Sequence, residues 1–364
     1  MKNSKRFFIL LLYFLFIVFL IEGITRLFFK ITNKDIDVYR NFSFERVPKI
    51  FIPDSVLGYK LIPNVSRNAF TSDFQVIYKT NSIGLREKEI EDTDKFKILF
   101  LGDSMAFGEG VPYGSRFSDL IEKEIKNIYT INAGVPGYGI HQMYLWLRCY
   151  GMNLKPNLVI CSIIPADLVR PIYKKTENSP HLLISKQEKK HYENKINYLV
   201  NSFKNISGRL LIKSYFYSVV KVNVKIIQML FYSKERDKKV WDEIKKKGDG
   251  GSYKITTDEQ RKIVKEESSK IFLDFKDMCD RMQVKFLVVN ISTKSLPWLS
   301  DFLTEHNIEY LDLSHQLSKI SKITFEIDPH YNAMGNRAIA NFLREYILNR
   351  YKDEITNPQN RSKF

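Results

Sequence analysis

From residue 96 onward, short apolar runs alternate with stretches of helical periodicity, and this alternation leaves the chain few folds to choose from. The runs are residues 96–101, 128–131, 158–164, 284–291 and 308–311. They lack the polar alternation of a half-exposed strand, so each reads as a strand buried on both faces. The intervening stretches read as helices. Residues 115–126 place Phe117, Leu120, Ile121 and Ile125 on one face. Residues 140–150 form a second helix. Residues 257–282 form a third, opened by Thr257 with Gln260 three positions on as a capping box. Asn332 caps a last helix over 333–349, with Ala338, Ile339, Phe342, Leu343 and Ile347 on its apolar side. Strand and helix in alternation predict a five-stranded parallel sheet covered on both faces, spanning 95–350.

The N-terminal stretch sets a second constraint. Residues 7–21 are apolar or aromatic without a break, and the stretch reaches Phe29 with Glu22, Gly23, Thr25 and Arg26 near its end. At ~1.5 Å per residue, a helix over 7–29 would span ~34 Å, enough for a bilayer core. Lys2, Lys5 and Arg6 precede it, and Glu22-Gly23-Ile24-Thr25-Arg26 offers a poor cleavage site for a signal peptide. The expectation is an uncleaved transmembrane anchor over 1–30. The short leading tail would then leave the rest extracytoplasmic, single-pass in the cell membrane. Residues 31–94 read as a stalk and small β lead-in, with turn signals at Pro53-Asp54, Leu57-Gly58 and Pro63-Asn64 and an alternating run at 74–78. Residues 351–364 read as a polar tail.

Charge is unevenly spread. Of a net +16, residues 170–254 hold +12, from twenty Lys/Arg against eight Asp/Glu. This basic insert suits anionic lipid or an anionic polymer, or forms a plain solvated face. Nucleic acid is not the expected partner of a chain with an export-type N-terminus. Within the insert, 210–231 is apolar but broken by lysines at 213, 221 and 225, which suggests an amphipathic helical lid. Cys149, Cys161 and Cys279 give neither a disulfide framework nor metal-ligand spacing.

Chemistry in a parallel sheet gathers at the carboxyl ends of the strands. The first strand is followed by Gly102-Asp103-Ser104 and the second by Asn132-Ala133-Gly134-Val135-Pro136-Gly137. The third is followed by Pro165-Ala166-Asp167, and Asp328-Pro329-His330-Tyr331-Asn332 precedes the last helix. A serine, a glycine-rich loop and an Asp/His pair thus converge on one edge. Asp103 reads as a turn-holding residue, Gly108 and Gly110 as turn glycines. His141 reads as a helix start, and His306 and His315 as surface residues.

These blocks resemble, in order and spacing, those of the SGNH/GDSL hydrolase family. The upstream run Tyr78-Lys79-Thr80-Asn81-Ser82-Ile83-Gly84-Leu85-Arg86 resembles the lead-in of its membrane-anchored members. The resemblance implies a flavodoxin-like three-layer α/β/α fold with no cofactor and no metal. Ser104 would be the nucleophile, His330 its base and Asp328 the residue that orients His330, with Ser104 and Gly137 N–H forming the oxyanion hole. Two positions depart from the family. Ala166 stands where an asparagine supplies a third oxyanion donor, with Asn290 as a conceivable substitute beside its use as a strand-end cap. One residue separates Asp328 from His330 where two are common, so Glu326 or a backbone carbonyl could orient the ring instead.

Three functions fit. The first is a serine esterase or O-acyltransferase, acting on acetyl groups of an extracytoplasmic glycan or lipid. The second is a non-catalytic binding component of a glycan assembly or export system, which Ala166 favours. The third is a lipid-directed, lipase-like enzyme with the insert as lid.

Overall fold

The computed structural model describes residues 2–32, 50–170 and 257–357, with Lys238 and Asp242 singly. The stalk beyond residue 32, the basic insert from 171 with its expected lid over 210–231, and the tail from 358 lie outside the described residues.

Helix α1 (Lys2–Thr32) and the rest of the described chain fall in two separate compact units. The side chains of α1 are described from Tyr13 on. Phe14, Phe16, Phe19, Ile24, Leu27 and Ile31 are all exposed, and Glu22 pairs with Arg26 at 2.8 Å. The membrane-crossing helix expected here is not met by the described residues. Among them no helix is long and apolar enough to cross a membrane. The physical reason is that the stretch from Tyr13 on carries Glu22, Arg26 and Lys30.

The second unit opens with two hairpins. Strand β1 (Phe51–Asp54) pairs with β2 (Gly58–Leu61), and β3 (Ser66–Phe70) with β4 (Gln75–Lys79), both antiparallel. Five parallel strands follow: β5 (Phe96–Gly102), β6 (Ile128–Gly134), β7 (Leu158–Ile163), β8 (Lys285–Asn290) and β9 (Glu309–Asp312). Their spatial order is β6-β5-β7-β8-β9. Alternate residues of each strand feed opposite cores, as a pleated strand requires. Leu99, Leu101, Val159, Cys161 and Val288 face one core, with α4 (Ile140–Cys149), α6 (Asp258–Arg281) and α7 (Pro297–Glu305) over it. Ile98, Phe100, Ile160, Leu287 and Val289 face the other, covered by α3 (Phe117–Glu124), α8 (Ser314–Ser318) and α9 (Ala333–Thr356). This is the three-layer α/β fold expected, and the capping box at Thr257 and the cap at Asn332 are both present.

The last helix is longer than expected. Tyr351 and Ile355 are buried, Tyr351 stacks on Phe96, and its hydroxyl donates to Glu309 at 2.6 Å. These anchors carry the helix through a kink at Tyr351 to Thr356, into the stretch expected to be tail.

The small β lead-in packs into the core of this unit. Leu57, Leu61, Ala69, Val76, Tyr78 and Leu85 share one hydrophobic cluster with β5 and β6. Arg86 is a buried polar link to the nucleophile loop. Its Nη1 donates to the carbonyls of Phe107 (2.9 Å) and Gly108 (2.7 Å), and its Nη2 to that of Val111 (2.6 Å). The guanidinium also lies over the rings of Tyr78 and Phe107, at 4.4 and 5.0 Å. Burial, then the charge of Arg116, pushes its pKa down to about 10, so the group stays cationic at neutral pH. Replacing Arg86 by Met should leave the carbonyls of Phe107 and Val111 without this donor, while that of Gly108 keeps the Val111 N–H at 3.2 Å. At roughly 1 kcal/mol or more for each, the full chain should lose about 2 kcal/mol or more in denaturant unfolding. A loss under about 1 kcal/mol would show that those carbonyls find other donors.

Candidate active site

Three loops meet at the carboxyl end of the sheet. After β5 turns out at Gly102, a short helix, α2 (Ser104–Phe107), begins. Asp103 caps it by accepting the Met105 N–H at 2.9 Å. That is the turn-holding role expected of Asp103. Gly108 and Gly110, both at positive φ, take the tight turns that follow. Ser104 lies at the first residue of α2 and is almost fully buried.

The second loop packs against α2. A Cβ at Gly134 would lie 2.4 Å from the Phe107 nitrogen, so only glycine lets β6 end there. Asn132 donates to the Ala106 carbonyl at 2.7 Å and accepts the Gly134 N–H at 2.9 Å. Next comes a type II turn over 135–138. Pro136 and Gly137 occupy its centre, Gly137 has φ +81°, and the Tyr138 N–H closes on the Val135 carbonyl at 3.1 Å. Tyr59 and Tyr138 hold the turn reciprocally. The Tyr59 hydroxyl donates to the Pro136 carbonyl at 2.8 Å and the Tyr138 hydroxyl to the Tyr59 carbonyl at 2.7 Å.

The third loop, before α9, brings His330 from 226 positions away. The His330 Nε2 lies 2.7 Å from the Ser104 Oγ, and its Nδ1 lies 2.5 Å from the Asp328 Oδ1. Asp328 also accepts the His330 backbone N–H at 3.0 Å. One carboxylate oxygen thus serves both the ring and the turn, which is how a spacing of one residue suffices. A carboxylate at Nδ1 fixes the proton there and leaves Nε2 to accept the serine hydroxyl proton.

Two groups that sequence reasoning did not single out also act here. Asp73, in the β3–β4 turn, accepts the N–H groups of Ile327 and Asp328 at 2.9 and 2.7 Å and so pins the histidine loop. Glu109, set between Gly108 and Gly110, places Oε2 3.7 Å from His330 Nε2. An acidic residue in the turn just after the nucleophile was the signal available for Glu109. For Asp73 there was none.

Ala166 occupies the first turn of α5 (Pro165–Val169), after β7, and its methyl supplies no donor. Asn290 does not fill the gap. Its amide donates to the Lys294 carbonyl at 2.8 Å and to Asp312 at 3.0 Å, as a strand-end cap. One turn beyond Ala166, the Arg170 Nη1 donates to the Asp103 Oδ2 (3.1 Å), the Tyr138 carbonyl (2.7 Å) and the Asp167 Oδ1. Among the described residues, no group of three or more His, Cys, Asp or Glu could hold a metal ion.

Burial disfavours the His330 imidazolium, but Asp328 and then Glu109 outweigh it, and the pKa is raised to about 9. A base must be neutral to take the serine proton, so activity is lost as pH falls through that value. With p-nitrophenyl acetate as probe, kcat/KM should climb with pH to a plateau above about 9. Glu109→Gln should move the midpoint down. A midpoint near the ordinary histidine value of about 6.5 in the unaltered chain would contradict this electrostatic picture.

No family model and no curated protein matches the chain. Solved structures do. A GDSL-like lipase from Bacteroides thetaiotaomicron matches at 9% identity and TM-score 0.37, covering 72% of this chain and 92% of its own. A lipase/acylhydrolase from Enterococcus faecalis matches at 12% identity and TM-score 0.37, covering 70% and 96%. An acetyl xylan esterase matches at 14% identity and TM-score 0.38, covering 69% and 99%. These neighbours are lipolytic or esterolytic hydrolases. With TM-scores this low, the assignment of the site rests on its own residues and distances.

Proposed function

We propose that the chain is an SGNH-type serine esterase or O-acyltransferase that works through an acyl-Ser104 intermediate. The observation that carries this is the unbroken hydrogen-bonded line from Ser104 through His330 to Asp328. His330 takes the serine proton as Oγ attacks the ester carbonyl, and Asp328 stabilises the resulting imidazolium. The N–H groups of Ser104 and Gly137 receive the oxyanion. The imidazolium then gives its proton to the leaving alkoxide. Water or an acceptor hydroxyl, deprotonated by His330, releases the acyl group and restores the serine.

Ala166 supports transfer over fast hydrolysis. Loss of one oxyanion donor costs ~3–4 kcal/mol in well-studied hydrolases, which slows attack by water on simple esters. An activated acyl donor and a bound acceptor hydroxyl offset that deficit through positioning. The substrate class proposed is an acetylated or otherwise acylated extracytoplasmic glycan or lipid. The complete Ser–His–Asp line disfavours the non-catalytic alternative.

The test is covalent trapping. A fluorophosphonate should label the full chain in detergent at Ser104, as located by mass spectrometry. Ser104→Ala should abolish labelling, and His330→Ala should slow it by a factor of about 10³ or more. Labelling elsewhere, or unchanged in Ser104→Ala, rules out this nucleophile.

The same proposal includes an anchor. The unbroken apolar run over 7–21 and the exposed aromatic and aliphatic side chains of α1 support a helix buried in lipid, with the α/β unit outside the cytoplasm. The Glu22–Arg26 pair would lower the cost of these two charges near the membrane interface. The full chain should stay with membranes through carbonate and high-salt washing. Release by salt alone would replace the anchor with peripheral binding.

A further inference from the structure

We infer that Arg170 is the positioning residue of the oxyanion hole, compensating for Ala166 by fixing the two backbone donors that remain. The inference rests on the acyl-serine reading. Its basis is the reach of a single nitrogen. Arg170 Nη1 lies 3.1 Å from the Asp103 Oδ2 and 2.7 Å from the Tyr138 carbonyl oxygen. Asp103 is joined to Ser104 by the peptide whose N–H is one donor. Tyr138 directly follows Gly137, whose N–H is the other. The two donors come from the ends of neighbouring strands, β5 and β6, and the guanidinium cross-links them.

Several features fit a built clamp. Asp167, three residues earlier on the same helical turn, holds the guanidinium from below, and the Arg170 side chain is 11% exposed. A Cβ at Gly139 would fall 2.8 Å from the Arg170 Cβ, so a glycine there lets the arginine approach. The Asp103 Oδ1 accepts the Met105 N–H while Oδ2 takes Arg170, so the clamp also steadies the helix that carries the nucleophile. Two carboxylates face one guanidinium, so its charge is already neutralised. Its contribution to the oxyanion is therefore geometric. All three contacts are made by Nη1 alone, so a side chain with no donor at that place should release both strand ends.

A residue that only stabilises the fold would lower melting temperature. One that aligns oxyanion donors lowers kcat and spares KM, because the oxyanion exists only along the reaction path. The test uses Arg170→Met in the full chain, and the double variant Asp167→Asn/Arg170→Met in case the first, which leaves two carboxylates without their cation, fails to fold. Either should turn over p-nitrophenyl acetate with kcat at least tenfold lower and KM within twofold. Amide hydrogen exchange over 103–105 and 135–139 should be at least tenfold faster than in the unaltered chain. A kcat within twofold of the unaltered chain, a loss carried by KM, or unchanged exchange would overturn the clamp. Failure of the unaltered chain to react with a fluorophosphonate would instead overturn the acyl-serine reading, and the exchange measurement alone would then decide whether Arg170 holds the two loops.

Discussion

The buried guanidinium of Arg86 is the interaction on which the site depends. The loop after α2 turns back through Gly108 and Gly110 and presents its carbonyls inward, where no strand or helix receives them. Arg86 supplies the donors from a segment that lies ahead of the sheet in sequence. Its own carbonyl accepts from Arg116, which in turn pairs with Glu87 and Asp119. The nucleophile loop therefore rests on a charged network in the interior. Removing one member of such a network leaves its partners unsatisfied at high cost.

The same lead-in governs the other half of the site. Asp73 receives two N–H groups of the histidine loop, and Phe74 packs on Phe325 at 5.1 Å. The segment after β4 thus holds the serine loop and the β3–β4 turn the histidine loop. The loops that carry Ser104 and His330 are braced from outside the sheet as well as by it. The lead-in accordingly shares the core of the α/β unit.

Much of this was legible in the sequence, for identifiable reasons. Strands buried on both faces leave unmixed apolar runs, so all five were readable from 96 onward. Thr257 and Asn332 announced their helices because capping needs a particular side chain at a particular place. Ser104, His330 and Asp328 stood in loops fixed by strand ends, and Ala166 was visible as a departure. What escaped depended on distant pairing. Asp73 meets its partners 254 and 255 positions away, and nothing in its neighbours signals that. Arg170 looked like the first charge of a basic segment, yet it faces inward because Asp103 and Asp167 are there to receive it. The two short helices α7 and α8 gave too few turns for their periodicity to register. Tyr351 extended α9 through contacts with Phe96 and Glu309 that no local pattern reveals.

The wide separation of serine and base also bears on how the protein comes into being. Every element from β1 to α5 is synthesised before any part of the histidine loop. Joining the two requires closing a very long chain segment, an entropic cost that grows only slowly with length but must be met before the contact forms. Until β8 and β9 have docked and the histidine loop has reached Asp73, Ser104 is an ordinary alcohol. Under the proposed acyl-serine chemistry a nascent chain is therefore silent, and acquires its reactive centre only when its last layer closes.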